Sequence, residues 1–364
     1  MVIVWDLPLR IFHWAMVCVV TTAAITGYLA PEWWLNIHVL AGYALGYLIA
    51  FRVAWGFLGS YYSRFSSFPL NIKAVGNHLL SILKTRPNAH VGHNPVGAWV
   101  IVGLLMLMLL LVLTGLIVLG GQENLGPLAA FISFKVGDFT EDIHEILSGL
   151  LIGAICVHLL GIFVEVKIFR HPILKAMISG KKPVAANDVG KGATGFIRGA
   201  ILFFLVTGIL FLAGLKLSAQ PSERWRFSAF PLTYANECGD CHVPYHPSLQ
   251  LSANWQTLMT NLANHYGEDA SLEEETRHQI ESYLTANDAS SFDTEVAHRI
   301  GRVETASIRM TDTPYWIKHH RKIASAIFKG PSVGSKVNCD GCHKDAATGQ
   351  FDDVNIYIPN GDKK

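Results

Sequence analysis

The sequence predicts an all-α membrane protein carrying a mainly α soluble domain. Three observations support this: the composition, five long apolar segments, and a change in charge near residue 219. Of 364 residues, 51% are hydrophobic and only 16% charged, with a mean hydropathy of +0.31, whereas a soluble chain carries about 25% charged residues. Residues 1–219 hold 15 Lys and Arg against 9 Asp and Glu, a balance of +6. Residues 220–364 hold 14 against 19, a balance of −5, which gives the overall +1. A total so near neutrality excludes a nucleic-acid binder held by phosphate electrostatics.

About 20 apolar residues cross a bilayer core as a helix, and residues 9–29, 38–58, 96–119, 144–166 and 196–215 have that length and character. Loop charges set the expected orientation. The loop at 59–95 carries Arg64, Lys73, Lys84 and Arg86, and 167–195 carries Lys167, Arg170, Lys175, Lys181, Lys182 and Lys191. By contrast, 30–37 has no basic residue and 120–143 has Lys135 against four acids. The positive-inside rule therefore predicts five spans, a cytoplasmic N-terminus and a domain after residue 219 on the outer side of the membrane. The start lacks a basic segment and a small-residue cleavage site, so the first span is expected to be retained. Around the fifth span, Lys181, Lys182, Lys191 and Arg198 precede an apolar stretch ending in Leu-Ser-Ala-Gln-Pro, which has the character of an export signal turned internal anchor.

Four of the six cysteines lie in Cys238-Gly-Asp-Cys241-His242 and Cys339-Asp-Gly-Cys342-His343. Composition alone predicts roughly 0.004 C-x-x-C-H matches in the chain. The pattern is that of covalent haem c attachment, with two thiols forming thioethers and the adjacent His reaching the iron. A disulfide or Cys/His zinc site is the competing use of such residues. Cys18 and Cys156 sit in apolar helices and read as small buried hydrophobes. The far side of each iron could be served by His246, His265, His278, His298, His319, His320, Met259 or Met310. His265 closes a helical pattern (Trp255, Leu258, Met259, Leu262) and His320 follows Tyr315-Trp316; these two are the expected distal ligands.

Ionisable groups within spans are costly and usually face a partner or cofactor in the bundle interior. Four histidines fit: His13, His38, His144 and His158. His144 and His158 are 14 residues apart, which puts them on one helix face about 21 Å apart along the axis. With alternating helix directions, His13 and His158 lie toward the cytoplasmic side, and His38 and His144 toward the periplasmic side. Two facing imidazoles from different helices are what an unattached haem b needs, so two storeys of haem b are expected. A hydrogen-bonded interhelical contact is the alternative for any one of them. Arg52, 14 residues after His38, and Arg10, one turn before His13, are candidates to pair with haem propionates, with snorkelling to the lipid interface as the alternative. Glu141 and Glu145 are placed to accept the free N–H of His144.

These residues resemble two known families. Trp5-Asp-Leu-Pro-Leu-Arg-Ile-Phe-His13-Trp14, His38-Val-Leu-Ala-Gly-Tyr43, Gly92-His-Asn-Pro95 and the His144/His158 pair resemble the bacterial cytochrome b561 family over about residues 1–180. That resemblance implies a four-helix dihaem b membrane cytochrome exchanging electrons with quinone, and His13, His38, His144 and His158 match its ligands one by one. From Glu237-Cys-Gly-Asp-Cys-His242 through His265-Tyr-Gly-Glu-Asp-Ala-Ser271, Thr313-Pro-Tyr-Trp316, His320 and Cys339-Asp-Gly-Cys-His343, the chain resembles the periplasmic dihaem cytochrome c family over most of 230–360. This implies His265 and His320 as distal ligands, while His246 and His319 fall outside the pattern and leave the assignment open. Separate proteins of the two kinds are thought to serve an oxygen-binding monohaem cytochrome c in some bacteria; here the two are expected to be fused.

The expected protein is therefore a transmembrane four-helix dihaem b bundle (1–182), a linker and fifth transmembrane anchor helix (183–219), and a periplasmic dihaem c domain (220–364). Its expected role is to move electrons from quinol through two haem b and two haem c to a soluble periplasmic acceptor, the oxygen-binding c-type cytochrome being one candidate. Lys73, His78, His93 and Asn94, in the long cytoplasmic loop beside the inner haem, could bind quinone carbonyl oxygens, with ordinary solvated loop positions as the alternative. Two rival expectations are a superoxide:quinone oxidoreductase, and an electron-transfer anchor for a dehydrogenase or hydrogenase. A basic outer funnel would favour the first, but the outer loops offer only Lys135 before Lys216.

Overall fold

The computed structural model describes residues 2–84, 90–182, 196–218, 229–303 and 308–359. The expected linker at 183–195, including Lys191, lies outside them, as do Arg86 and the stretch 219–228. The chain is all-α, and the one ladder among the described residues is a two-residue antiparallel pair, β1 (Val2–Ile3) with β2 (Lys181–Lys182). Two compact units result: Met1–Leu116 with Thr140–Lys216, and Ile117–Phe139 with Leu217–Lys364.

The first unit contains α1 (Leu7–Tyr28), α2 (Leu35–Leu58), α3 (Ile72–Leu83), most of α4 (Pro95–Gly121) and most of α5 (Phe134–Phe163). It also contains the short α6 (Ile173–Ser179) and α7 (Phe196–Ser218). Five of these helices are long and apolar enough to cross a membrane, α4 reaching a hydropathy of 3.0. They keep large apolar side chains such as Ile146, Leu160 and Phe204 exposed, which suits lipid rather than water as solvent. Inside, Leu9, Phe12, Met16, Leu45, Ile49, Met108, Leu111 and Leu151 form a common core. Asp6 organises the start: its carboxylate caps α1 by accepting from the Leu9 N–H and also accepts from Trp55 Nε1 and the Ser63 hydroxyl. The pairing of β1 with β2 ties this end to the residues after α6. In α7, Phe203 packs edge-on against Tyr47 and Phe51 of α2.

In the second unit, α8 (Leu232–Gly239), α9 (Ser252–Thr260) and α10 (Glu274–Ala286) enclose Tyr234, Trp255, Met259, Leu262, Ile280 and Leu284. A smaller cluster of Leu249, Val296 and Ile300 sits beside α11 (Pro314–His320), and α12 (Ser325–Phe328) precedes the second C-x-x-C-H. Tyr245 packs against both clusters. The segment 117–139 folds as part of this unit. Phe134 stacks on His298 at 4.6 Å, its N–H donates to Asp293, Asp138 pairs with Arg299, and Glu123 accepts from the Asp353 N–H.

Candidate haem-binding sites

A metal-to-imidazole-nitrogen bond is about 2 Å long and the ring centre lies about 1 Å further back, so two imidazoles held trans on one metal have centroids about 6 Å apart. His38 of α2 and His144 of α5 have ring centroids 6.3 Å apart. His242 and His265 stand at 6.2 Å, and His320 and His343 at 6.1 Å. His13 of α1 and His158 of α5 are within electrostatic range of each other. Each of the four pairs joins histidines far apart in sequence.

The ring nitrogens are set up to leave Nε2 available. His38 Nδ1 lies 3.1 Å from both the Ala23 carbonyl and the Thr26 hydroxyl, and Thr26 donates its own hydrogen to the Thr22 carbonyl at 2.8 Å. Nδ1 must then carry the proton, and Nε2 keeps its lone pair. His144 repeats the device: Nδ1 is 2.8 Å from the Thr114 hydroxyl, which donates to the Leu110 carbonyl. The acceptor expected among Glu141 and Glu145 is thus replaced by Thr114, because α4 faces the ring while those glutamates lie on the helix that carries it. Directly after each threonine comes a glycine against the ring. A Cβ at Gly27 would stand 3.2 Å from His38 Cε1, and one at Gly115 would stand 3.3 Å from His144 Cε1. Sequence reading did not single out Thr26, Gly27, Thr114 and Gly115. The signal was the Thr-Gly dipeptide repeated in the helix preceding each His-bearing helix.

In the c-type sites two imidazoles donate Nδ1–H in the same way, while Nδ1 of His343 is buried without a hydrogen-bond partner among the described residues. His242 donates Nδ1–H to the Val243 carbonyl at 2.8 Å, and His320 to the Trp316 carbonyl at 2.9 Å. His320 also stacks on the Trp316 indole at 4.3 Å, with the ring planes nearly parallel. Burial, then the facing His320, pushes His343 down to about 4. Burial and then His242 likewise lower His265, so both imidazoles are neutral. All four C-x-x-C-H cysteines are free thiols. Burial pushes Cys238 up to about 11 and Cys339 to about 12, and raises Cys342.

Other histidines are occupied elsewhere. His246 is 2% exposed, bonds through Nδ1 to Ser248 and packs on Phe292 at 4.8 Å. Gly349, at φ +70°, passes so close to it that a Cβ would fall 2.2 Å from Nδ1. His319 stacks on Tyr315, His278 pairs with Glu274 at the surface, and His298 bonds to Asp293. Met259 is buried in the core and Met310 packs on the smaller cluster.

Arg52 is 2% exposed, lies over the Phe65 ring at 4.5 Å and keeps Nη1 without a hydrogen-bond partner. Arg10 donates to the Ile178 carbonyl and leaves Nε unpartnered. Arg52 is buried and Arg10 half-buried, and a guanidinium with an unused donor suits an anion such as a haem propionate. Of the expected quinone residues, Asn94 caps α4 through the Gly97 N–H and donates to Glu165. His93 is sandwiched between Trp5 and Phe68; burial, with Arg52 and Lys182 adding to it, pushes it down to about 3. His78 keeps a buried Nε2 without a partner and lies 5.3 Å from His90, whereas Lys73 is exposed.

Known proteins agree with this division. Residues 4–180 match the prokaryotic cytochrome b561 family and residues 234–351 the dihaem cytochrome c family. The chain thus joins a cytochrome b561 domain to a dihaem cytochrome c domain, and it is a membrane-bound, haem-carrying electron-transfer protein. A protein of Bradyrhizobium diazoefficiens named "Probable Ni/Fe-hydrogenase B-type cytochrome subunit" is 24% identical over 212 residues, 50% of this chain and 85% of its own length. The Escherichia coli K12 "Probable Ni/Fe-hydrogenase 1 B-type cytochrome subunit" is 24% identical over 208 residues, 49% of this chain and 88% of its own. Among solved structures, a diheme cytochrome c from Rhodobacter sphaeroides is 36% identical, covering 35% of this chain and 100% of that one, with a TM-score of 0.30. One from Shewanella baltica OS155 is 30% identical, covering 36% and 96%, with a TM-score of 0.29.

Proposed function

We propose that the protein carries electrons from quinol, through two haem b and two haem c, to a soluble acceptor outside the bacterial inner membrane. His13 with His158 and His38 with His144 would hold the b groups. Cys238, Cys241, His242 and His265 would hold one c group, and Cys339, Cys342, His343 and His320 the other. The observation that carries this is the recurrence of facing imidazoles at 6.1–6.3 Å, in both the helical bundle and the soluble domain. Bound haem supplies one-electron iron chemistry, its potential set by axial ligands and surroundings.

The chain's own residues do the rest. Thr26 and Thr114 fix the tautomer and orientation of His38 and His144, and Gly27 and Gly115 let each ring lie flat against the preceding helix. Arg52 and Arg10 hold negative charge at the cytoplasmic end. His78, whose buried Nε2 has no hydrogen-bond partner, would accept one of the two protons that quinol oxidation releases. Basic loops and five spans support a cytoplasmic N-terminus and a periplasmic c domain. Quantifying haems by pyridine haemochrome tests the set: two b and two c per chain are expected. The His38→Ala variant should retain one b and both c, and a ratio unchanged in that variant would contradict the assignment.

A second reading rests on the relatives named as hydrogenase cytochrome subunits: delivery of electrons from a partner dehydrogenase or hydrogenase to the same haems. It predicts co-purification of the chain with a larger catalytic subunit and reduction of the b haems only when that subunit is present.

A further inference from the structure

The −5 balance of residues 220–364 is an average over two unlike regions. Between residues 229 and 295 there are eleven Asp and Glu against Arg277 alone. From 314 to 344 the balance reverses: Lys318, Arg321, Lys322, Lys329, Lys336 and Lys344 stand against Asp340. All six basic side chains are exposed, and among the described residues none of them forms an ion pair. They also gather in space. Lys318 lies in α11, and Arg321 and Lys322 follow it directly after His320. Lys336 brings its ammonium within 5.7 Å of the Trp316 ring and 6.0 Å of Phe328. Phe328, next to Lys329, has its ring 6.4 Å from His320. Lys344 follows His343 and lies 5.3 Å from the ring of Tyr357, whose N–H donates to the Cys342 carbonyl.

At the centre of this ring of charge, the Trp316 indole lies on His320, which faces His343. Half-exposed Ile317 adds an apolar spot beside them. An aromatic and apolar centre with a charged rim is the arrangement of a redox docking site, where complementary charge steers encounter and the centre makes contact. We infer that this face, around Trp316 and His320, is the docking surface for an acidic soluble redox protein, and that the second c site is where electrons leave the chain. The inference rests on the proposed electron-conduit function and names its partner by charge.

The test uses the full-length chain in neutral phosphatidylcholine nanodiscs, reduced chemically so that quinol plays no part. It is mixed with an acidic acceptor, a plastocyanin, or a basic one, a mitochondrial-type cytochrome c, while the c bands are followed. Oxidation by plastocyanin should slow roughly tenfold or more from low to high salt. The triple variant Lys318→Glu, Lys322→Glu, Lys336→Glu should show a similar loss at low salt, with unchanged haem spectra and midpoint potentials, and should react faster with the basic acceptor. Plastocyanin rates indifferent to both salt and the variant would overturn the proposal. So would a variant effect confined to nanodiscs containing phosphatidylglycerol, which would assign the patch to lipid headgroups. Preparations lacking c bands would instead overturn the haem assignment on which the proposal stands.

Discussion

The Ala23 carbonyl and the Thr26 hydroxyl both lie against Nδ1 of His38, and the Thr114 hydroxyl lies against Nδ1 of His144, with the two ring centroids 6.3 Å apart. Outer partners of this kind typically contribute 10–100-fold in metal affinity. Thr26→Val and Thr114→Val should therefore each weaken haem b retention by about that factor, seen as loss of one b haem during dilution or competition with an apo haem-binding protein. Retention equal to the unaltered chain would deny the threonines this role. The distal c ligands can be separated from their neighbours in the same way. His265→Met should keep both c haems and raise one midpoint potential, since methionine ligation favours the reduced iron. His246→Ala should leave both potentials in place and cost roughly 1–3 kcal/mol of stability, through the lost Ser248 bond and the gap beside Phe292. Potentials that moved in the second variant rather than the first would reverse the roles of His265 and His246. These candidate positions stand out in the sequence because C-x-x-C-H and intramembrane His are rare and costly. The threonine and glycine partners were not, because small residues in apolar helices are commonplace until a ring is seen against them.

At the scale of elements, the five long helices were legible from apolar length alone, and their ends fall within a few residues of those expected apart from the start of α5. That helix begins at Phe134, not near 144, because its first turns carry Lys135, Asp138, Glu141 and Asp142 and extend beyond the apolar stretch. The packing of segment 117–139 was not legible either. Its short polar run has no periodicity, and its partners lie more than 150 residues away. Glu123 is carried by this segment into the second unit, where it is buried near Asp352, Asp353 and Glu295. Burial, then Asp353 and Asp352, pushes Glu123 well above the carboxylate range. Burial, then Asp345, pushes Asp352 up to about 8. An unfolded Asp releases its proton near pH 4. Between about pH 4 and about 8 the folded unit therefore holds protons that the unfolded chain has lost, and stability falls as pH rises through that window. The melting transition of the c domain in the full chain should move to higher temperature from pH 8 to pH 5, and Asp352→Asn should flatten the slope and melt higher at pH 8. A transition that instead climbs with pH would contradict the buried acid pair.

At the scale of the whole chain, a lipid-facing bundle and a second, mainly α domain share one recurring unit, two imidazoles with ring centroids about 6 Å apart. The division into two parts was legible from hydropathy and charge because bilayer and water demand opposite compositions. Direction of flow was not, since single electrons pass either way between the same ligands. The most direct measurement is anaerobic rapid mixing of the oxidised full-length protein with a short-chain quinol, resolving the b and c absorption bands in time. The account predicts that the b bands reduce first and the c bands follow. Reduction of c before b, or no reduction by quinol in a protein that a reduced c-type cytochrome or superoxide does reduce, would contradict it.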